Sequence, residues 1–154
     1  MIHFEEAFKV VLNQAKQNAS EKTNLTRAYG RILAQDVFSD VDMPPFNKSA
    51  VDGYSCRRQD ILNELEVIET VAAGYVPKKT VYENQCIKIM TGAMLPDGAD
   101  CVLMVEHTEK TNENHIRFLK NDTPNNICYK AEDVNKGSKV LSKGLLVKPE
   151  HIAV

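Results

Sequence analysis

No apolar stretch in these 154 residues approaches the ~20 that a membrane-spanning helix needs. The opening MIHFEEAFKVVLNQAKQ has neither a basic leader nor a small-residue cleavage site, so a cytoplasmic protein is expected. Basic runs are also absent: Lys and Arg number 19 against 21 acidic residues, a net charge of −2. That balance provides no nucleic-acid footprint, and any anionic ligand must be held by local groups. Four cysteines, Cys56, Cys86, Cys101 and Cys128, contain no CxxC pair. A zinc knuckle and a thioredoxin-type redox site are therefore disfavoured, and the thiols are read as free and mostly core. His3, His107, His115 and His151 show no HxH or HExxH spacing. GxSxG, Walker and GxGxxG motifs are missing too, which counts against serine hydrolases, P-loop NTPases and dinucleotide enzymes.

What is present is a globular composition, 43% hydrophobic and 26% charged, in a chain long enough to bury ~70% of its unfolded surface. Phe4, Ala7, Phe8, Val11, Leu12 and Ala15 recur at three- and four-residue intervals and predict an amphipathic helix. Ile32, Ala34 and Val37 suggest a short strand after a turn at Tyr29-Gly30. The runs LEVIETVAAG, QCIKIMTG, ADCVLMVEHTE, HIRFL and NICYK predict a β-rich region, with Asp97-Gly98 as a tight reversal. Near the end, Lys143-Gly144 predicts a hairpin turn and Pro149 the first turn of a helix. A terminal helix of about five residues cannot support itself, so the chain is expected to be part of something longer.

Two segments carry the candidate chemistry. In the first, MPPFNKSAVDGY (43–54), Pro44 and Pro45 fix φ, and the glycine of Asp52-Gly53 can take a positive φ, so the backbone is shaped before Asp52 is presented. The Asp52 carboxylate suits Mg²⁺, which takes one or two carboxylates alongside water and phosphate oxygens; alternatively it stabilises its own turn. Lys48 and Ser49 offer a charge and a hydroxyl to an anion, or are ordinary loop residues. The second, IKIMTGAMLPDGADCVLMVE (87–106), contains Thr91-Gly92-Ala93. That triplet is either a nest of N–H groups for an oxyanion or an ordinary β-turn.

Together these segments resemble the molybdopterin molybdenumtransferases, the MoeA and gephyrin E-domain family, whose signatures look like PPFxxSAMDGYA and RIMTGAxxPxGADxVVxxE. KAEDVNKG (130–137) is similar to the family's GEDV motif, which implies that Asp133 is a second cleft carboxylate with Glu132 beside it; composition alone leaves the alternative of two solvated turn residues equally open. Ala131 stands where glycine is usual, Cys128 and Tyr129 where arginine is common, and Lys48 where asparagine is frequent.

The resemblance implies an α+β fold in which residues 1–45 and 137–154 form an elongated helix-plus-hairpin domain. It further implies that residues 46–136 form an inserted, irregular β-rich domain, and that the catalytic α/β and small β domains of the family lie outside this chain. It implies Asp52, Thr91 and Asp133 as catalytic residues, Ser49, Gly92 and Lys48 as cofactor-binding, and Asp52 as the Mg²⁺ ligand. Molybdate and adenylylated molybdopterin are the implied substrates, with release of AMP. The implied partners are a second copy of the chain and a molybdopterin-adenylylating protein, with neither nucleic acid nor membrane. The chain alone is expected to be inactive. The alternative is a non-catalytic dimerisation or binding module.

Overall fold

The computed structural model describes residues 2–16 and 18–154 of a mostly β structure with few helices. The chain divides into two compact units, Met1–Val37 with Val140–Val154, and Phe38–Lys139. The sequence placed the divisions after Pro45 and before Gly137. They fall further out because Asp42 and Met43 are bonded into the larger unit. Met43 N–H donates to the Val134 carbonyl at 2.8 Å, Val134 N–H returns a bond at 3.0 Å, and Lys136 N–H donates to the Asp42 carboxylate at 2.8 Å. Two short strands, β1 (Val37–Phe38) and β10 (Lys139–Leu141), carry the chain across the boundary.

In the smaller unit the predicted stripe forms α1 (Phe4–Gln14), with Glu5 and Glu6 in the first turn, where carboxylates complement the helix dipole. Phe4 and Phe8, one turn apart, stack with ring centroids 5.9 Å apart. None of the helix's residues is buried; Phe4 remains 80% exposed and Val11 67%. The turn at Lys143-Gly144 is present, but the hairpin expected from it is not. Leu145–Val147 pairs instead with residues 30–33: Gly30 and Leu33 N–H donate to Val147 and Leu145 carbonyls, and Val147 N–H donates to Arg31. Pro149 begins a short helix, α2 (Pro149–Ile152), as its missing N–H and fixed φ favour.

The larger unit is built on a six-stranded sheet of order β6-β3-β5-β4-β8-β7. Its strands are β3 (Gly53–Cys56), β4 (Glu64–Val71), β5 (Gln85–Ile89), β6 (Cys101–Met104), β7 (Thr108–Lys110) and β8 (His115–Phe118). The remaining short strands are β2 (Lys48–Ser49) and β9 (Ile127–Cys128). All sheet neighbours are antiparallel except β4 and β5, whose register shifts between Val67 and Glu69. Every residue of β3 is buried, because side chains on both faces of the sheet are covered. Tyr54, Cys56, Leu65, Leu103 and Ile116 belong to one cluster, and Val71, Ile87, Ile89 and Val102 to another. Burying each of these larger apolar side chains contributes about 1.5–3 kcal/mol before the entropy of ordering is subtracted.

Two glycines frame this sheet for different reasons. Gly98 has φ +84° in the predicted Asp97-Gly98 reversal, and a Cβ there would overlap the Val81 carbonyl. Gly53 is not among the positive-φ residues, contrary to the turn reading. It is needed because β3 approaches β6 so closely that a Cβ would overlap the Leu103 carbonyl. Ala131, where relatives were expected to carry glycine, sits at φ +62°, a left-handed conformation that costs an L-residue about 1–2 kcal/mol.

Candidate functional site

The irregular segment 43–54 is held between the other two candidate segments. Its middle, Asn47–Ser49, bonds on one side to 92–95: Leu95 N–H donates to Asn47, Ser49 N–H to Ala93, and Gly92 N–H to Ser49, each at 2.9 Å. On the other side β2 pairs antiparallel with β9, Lys48 opposite Cys128 and Ser49 opposite Ile127. Proline-rich backbone cannot form a long ladder, because each proline lacks a donor. Short side-chain bonds replace it. Asn47 Oδ1 accepts from Lys130 N–H at 2.8 Å, and Asp42 accepts from Lys136 N–H while pairing with the Lys130 ammonium at 3.2 Å. The Lys136 N–H bond, then the Lys130 bond, holds the Asp42 carboxyl below its ordinary range. Sequence reading passed over Asn47 and Asp42. The signal available was an Asx residue beside a double proline, a setting in which such side chains bond backbone.

Asp52 lies near the end of this segment, and its carboxylate reaches across to the second one. Asp52 Oδ1 accepts from Thr91 N–H at 2.7 Å and from Thr91 Oγ–H at 2.9 Å. Asp52 and Thr91, two of the three residues that the resemblance implies as catalytic, are therefore in direct contact, and both are exposed. The bonds cross to a segment 39 positions away rather than closing Asp52's own turn. The Thr91 N–H bond and then the hydroxyl bond favour the ionised form and lower the Asp52 pKa. A depressed carboxyl pKa adds stability that is present above the unfolded value near ~3.9 and is lost as pH falls through the folded value. Replacing Thr91 by Val removes the hydroxyl bond but keeps the N–H bond. The expected NMR titration midpoint of Asp52 rises in Thr91→Val yet stays below that of an unstructured aspartate; an unmoved midpoint would show that the hydroxyl bond carries no weight.

The other expected site residues divide. Ser49 is buried, and its hydroxyl donates to the Val51 carbonyl at 2.6 Å, so it is engaged inside the protein and does not face an anion. Thr91-Gly92-Ala93 does not form the expected nest, because all three N–H groups are bonded within the protein, to Asp52, Ser49 and Met90. Gly92 contributes its φ of +80° to that loop. Lys48 is half-buried in β2, beside the bridge to Met94. Asp133 is exposed and fixed by its own N–H bond to the Met43 carbonyl at 3.0 Å; its carboxylate takes no part in the bonds joining Asp52 to Thr91. Glu132 closes its own turn by accepting from Tyr129 N–H at 2.8 Å.

Among the described residues, no three His, Cys, Asp or Glu side chains gather as a metal cage. With Oδ1 committed to Thr91, Oδ2 of the exposed Asp52 offers one hard oxygen, which suits Mg²⁺ in a site completed by water and phosphate oxygens. No helix among the described residues is long and apolar enough to cross a membrane.

Comparison with known proteins places this geometry. Residues 2–154 match the model of the MoeA N-terminal region, domains I and II. The chain is 36% identical over 160 residues to the molybdopterin molybdenumtransferase of Staphylococcus epidermidis (strain ATCC 35984), covering 99% of this chain and 38% of that protein. It is 36% identical over 159 residues to the protein of the same name from Bacillus subtilis (strain 168), covering 96% and 37%. The chain thus spans well under half the length of these relatives. A crystal structure of the molybdopterin biosynthesis moeA protein from Pyrococcus horikoshii OT3 superposes with a TM-score of 0.91 at 38% identity, covering 99% of this chain and 42% of that one.

Proposed function

This chain belongs to the MoeA N-terminal family, and on that premise we propose that it supplies one wall of the site of a molybdopterin molybdenumtransferase. The proposed reaction inserts molybdate into the dithiolene of adenylylated molybdopterin and releases AMP. The reading rests on the Asp52–Thr91 pair, in which one carboxylate oxygen is anchored by two donors and the other is left for a ligand. Molybdate, dithiolate and phosphate anhydride are all anionic, so the chemistry calls for positioned positive charge rather than a strong protein nucleophile. Mg²⁺ held by Asp52 would neutralise charge on the phosphate oxygens as a Lewis acid. Thr91 keeps the Asp52 side chain ionised and in one orientation, and the Lys48 ammonium adds positive charge on the adjoining strand.

The experiment is a chimera in which this chain replaces the matching part of the Staphylococcus epidermidis relative, assayed for AMP release from adenylylated molybdopterin and molybdate. Turnover by the chimera, with none by this chain alone, is expected. A folded but inert chimera would overturn the reading.

The smaller unit suits a second role, assembly, for which the observation is the apolar face of α1. An 11-residue helix with no buried residue has little to stabilise it within its own chain. Its stacked Phe4 and Phe8 suit the same face of a second copy. Sedimentation of the chain is expected to show a dimer that Phe8→Glu weakens by roughly tenfold or more. A monomer at every concentration reached would refute this assembly role.

A further inference from the structure

We propose that Cys56 and Cys101 are a dithiol that hydroperoxides oxidise to a cross-strand disulfide, at the opposite end of β3 from Asp52. The two residues are direct partners in the antiparallel β3–β6 pair, and their Sγ atoms lie 3.7 Å apart. Residues opposite one another in such a pair have Cα atoms about 4.5–5.5 Å apart, inside the span a disulfide accepts. Both thiols are buried, but their position gives a route for a small oxidant. Cys56 is the last residue of β3 and Cys101 the first of β6, the edge strand, and the adjoining Asp100 is exposed. Fraying of that strand end uncovers the pair without opening the rest of the sheet.

The thiols are also differentiated. The Cys56 hydrogen bond stabilises the Cys101 thiolate and lowers its pKa; the same bond and burial push the Cys56 thiol up. Cys86, on the other side of Cys56, is pushed up to about 12, mainly by burial, which disfavours it as a competing nucleophile. The Cys101 thiolate attacks a peroxide oxygen and the O–O bond breaks, giving a sulfenic acid and, with one proton, water. Cys56 sulfur then attacks the Cys101 sulfur; the S–S bond forms, the S–O bond breaks, and hydroxide leaves as water with the Cys56 proton. Two thiols lose two electrons and one hydroperoxide O–O bond is reduced.

The test treats the folded chain with hydrogen peroxide, quenches it, and counts thiols after unfolding. The expected result is a fall from four titratable thiols to two. Digestion should yield a peptide joining Cys56 to Cys101, released by dithiothreitol and still formed in the Cys86→Ala and Cys128→Ala variants. Four thiols remaining, a Cys56–Cys86 link, or a link between molecules through Cys128 would each overturn the proposal.

Discussion

Gly53→Ala is expected to lower stability by about 3 kcal/mol or more, and to lower the melting temperature by roughly 6–12 °C. The position looks permissive, a glycine after an aspartate, and its backbone conformation would accept alanine. Space is what forbids it. The new methyl would overlap the Leu103 carbonyl, a main-chain group held in the β3–β6 ladder, so no side chain can swing away. Moving β6 outward would disturb Val102 and Leu103, which sit in the two clusters on either side of the sheet. Gly74→Ala makes the comparison: φ there is +86° with nothing within 4 Å of the added atom. Strain alone should then cost only about 1–2 kcal/mol. Circular dichroism melts of the two variants decide the matter, and Gly74→Ala proving the more damaging would show that the close approach is not what fixes residue 53.

Asp52→Asn in the chimera is expected to reduce AMP release by about 10²–10³-fold, the scale seen when one charge-stabilising group is removed from a site. Asparagine keeps an Oδ1 that can accept from Thr91 N–H and Oγ–H, so the loop stays anchored. What disappears is the negative charge and with it the affinity for a hard cation. Amide exchange at Thr91 should therefore stay close to wild type while turnover falls. Turnover that survives Asp52→Asn would reduce Asp52 to a strut for the Thr91 loop.

The periodic elements were legible in the sequence because their signals are local. The α1 stripe, the runs that became β4, β5 and β8, and the Asp97-Gly98 reversal all follow from residues within a few positions of one another. The pairing of Asp52 with Thr91 was legible only through two signatures read together, since the bond spans 39 residues. Long-range bonding defeated the rest. A triplet such as Thr91-Gly92-Ala93 has the right residues for an anion nest, yet its N–H groups are engaged by Asp52, Ser49 and Met90, which no local pattern reveals. Ser49 failed for the same reason, its hydroxyl being turned to Val51. The Lys143-Gly144 turn formed, but the residues after it found residues 30–33, whose open backbone groups lie more than a hundred positions earlier in the chain. Gly53 was recognised as special, but its reason lay in a neighbouring strand.

Mn²⁺, substituted for Mg²⁺, tests the cation-holding role of Asp52 most directly, because its unpaired electrons broaden the NMR signals of nuclei close to where it binds. Titrated into this chain with inorganic pyrophosphate present, it is expected to broaden the amides of Asp52, Gly53, Thr91 and Gly92 first, and to leave them sharp in Asp52→Asn. Broadening centred on Glu132 and Asp133, or unchanged by the substitution, would contradict the assignment of the site.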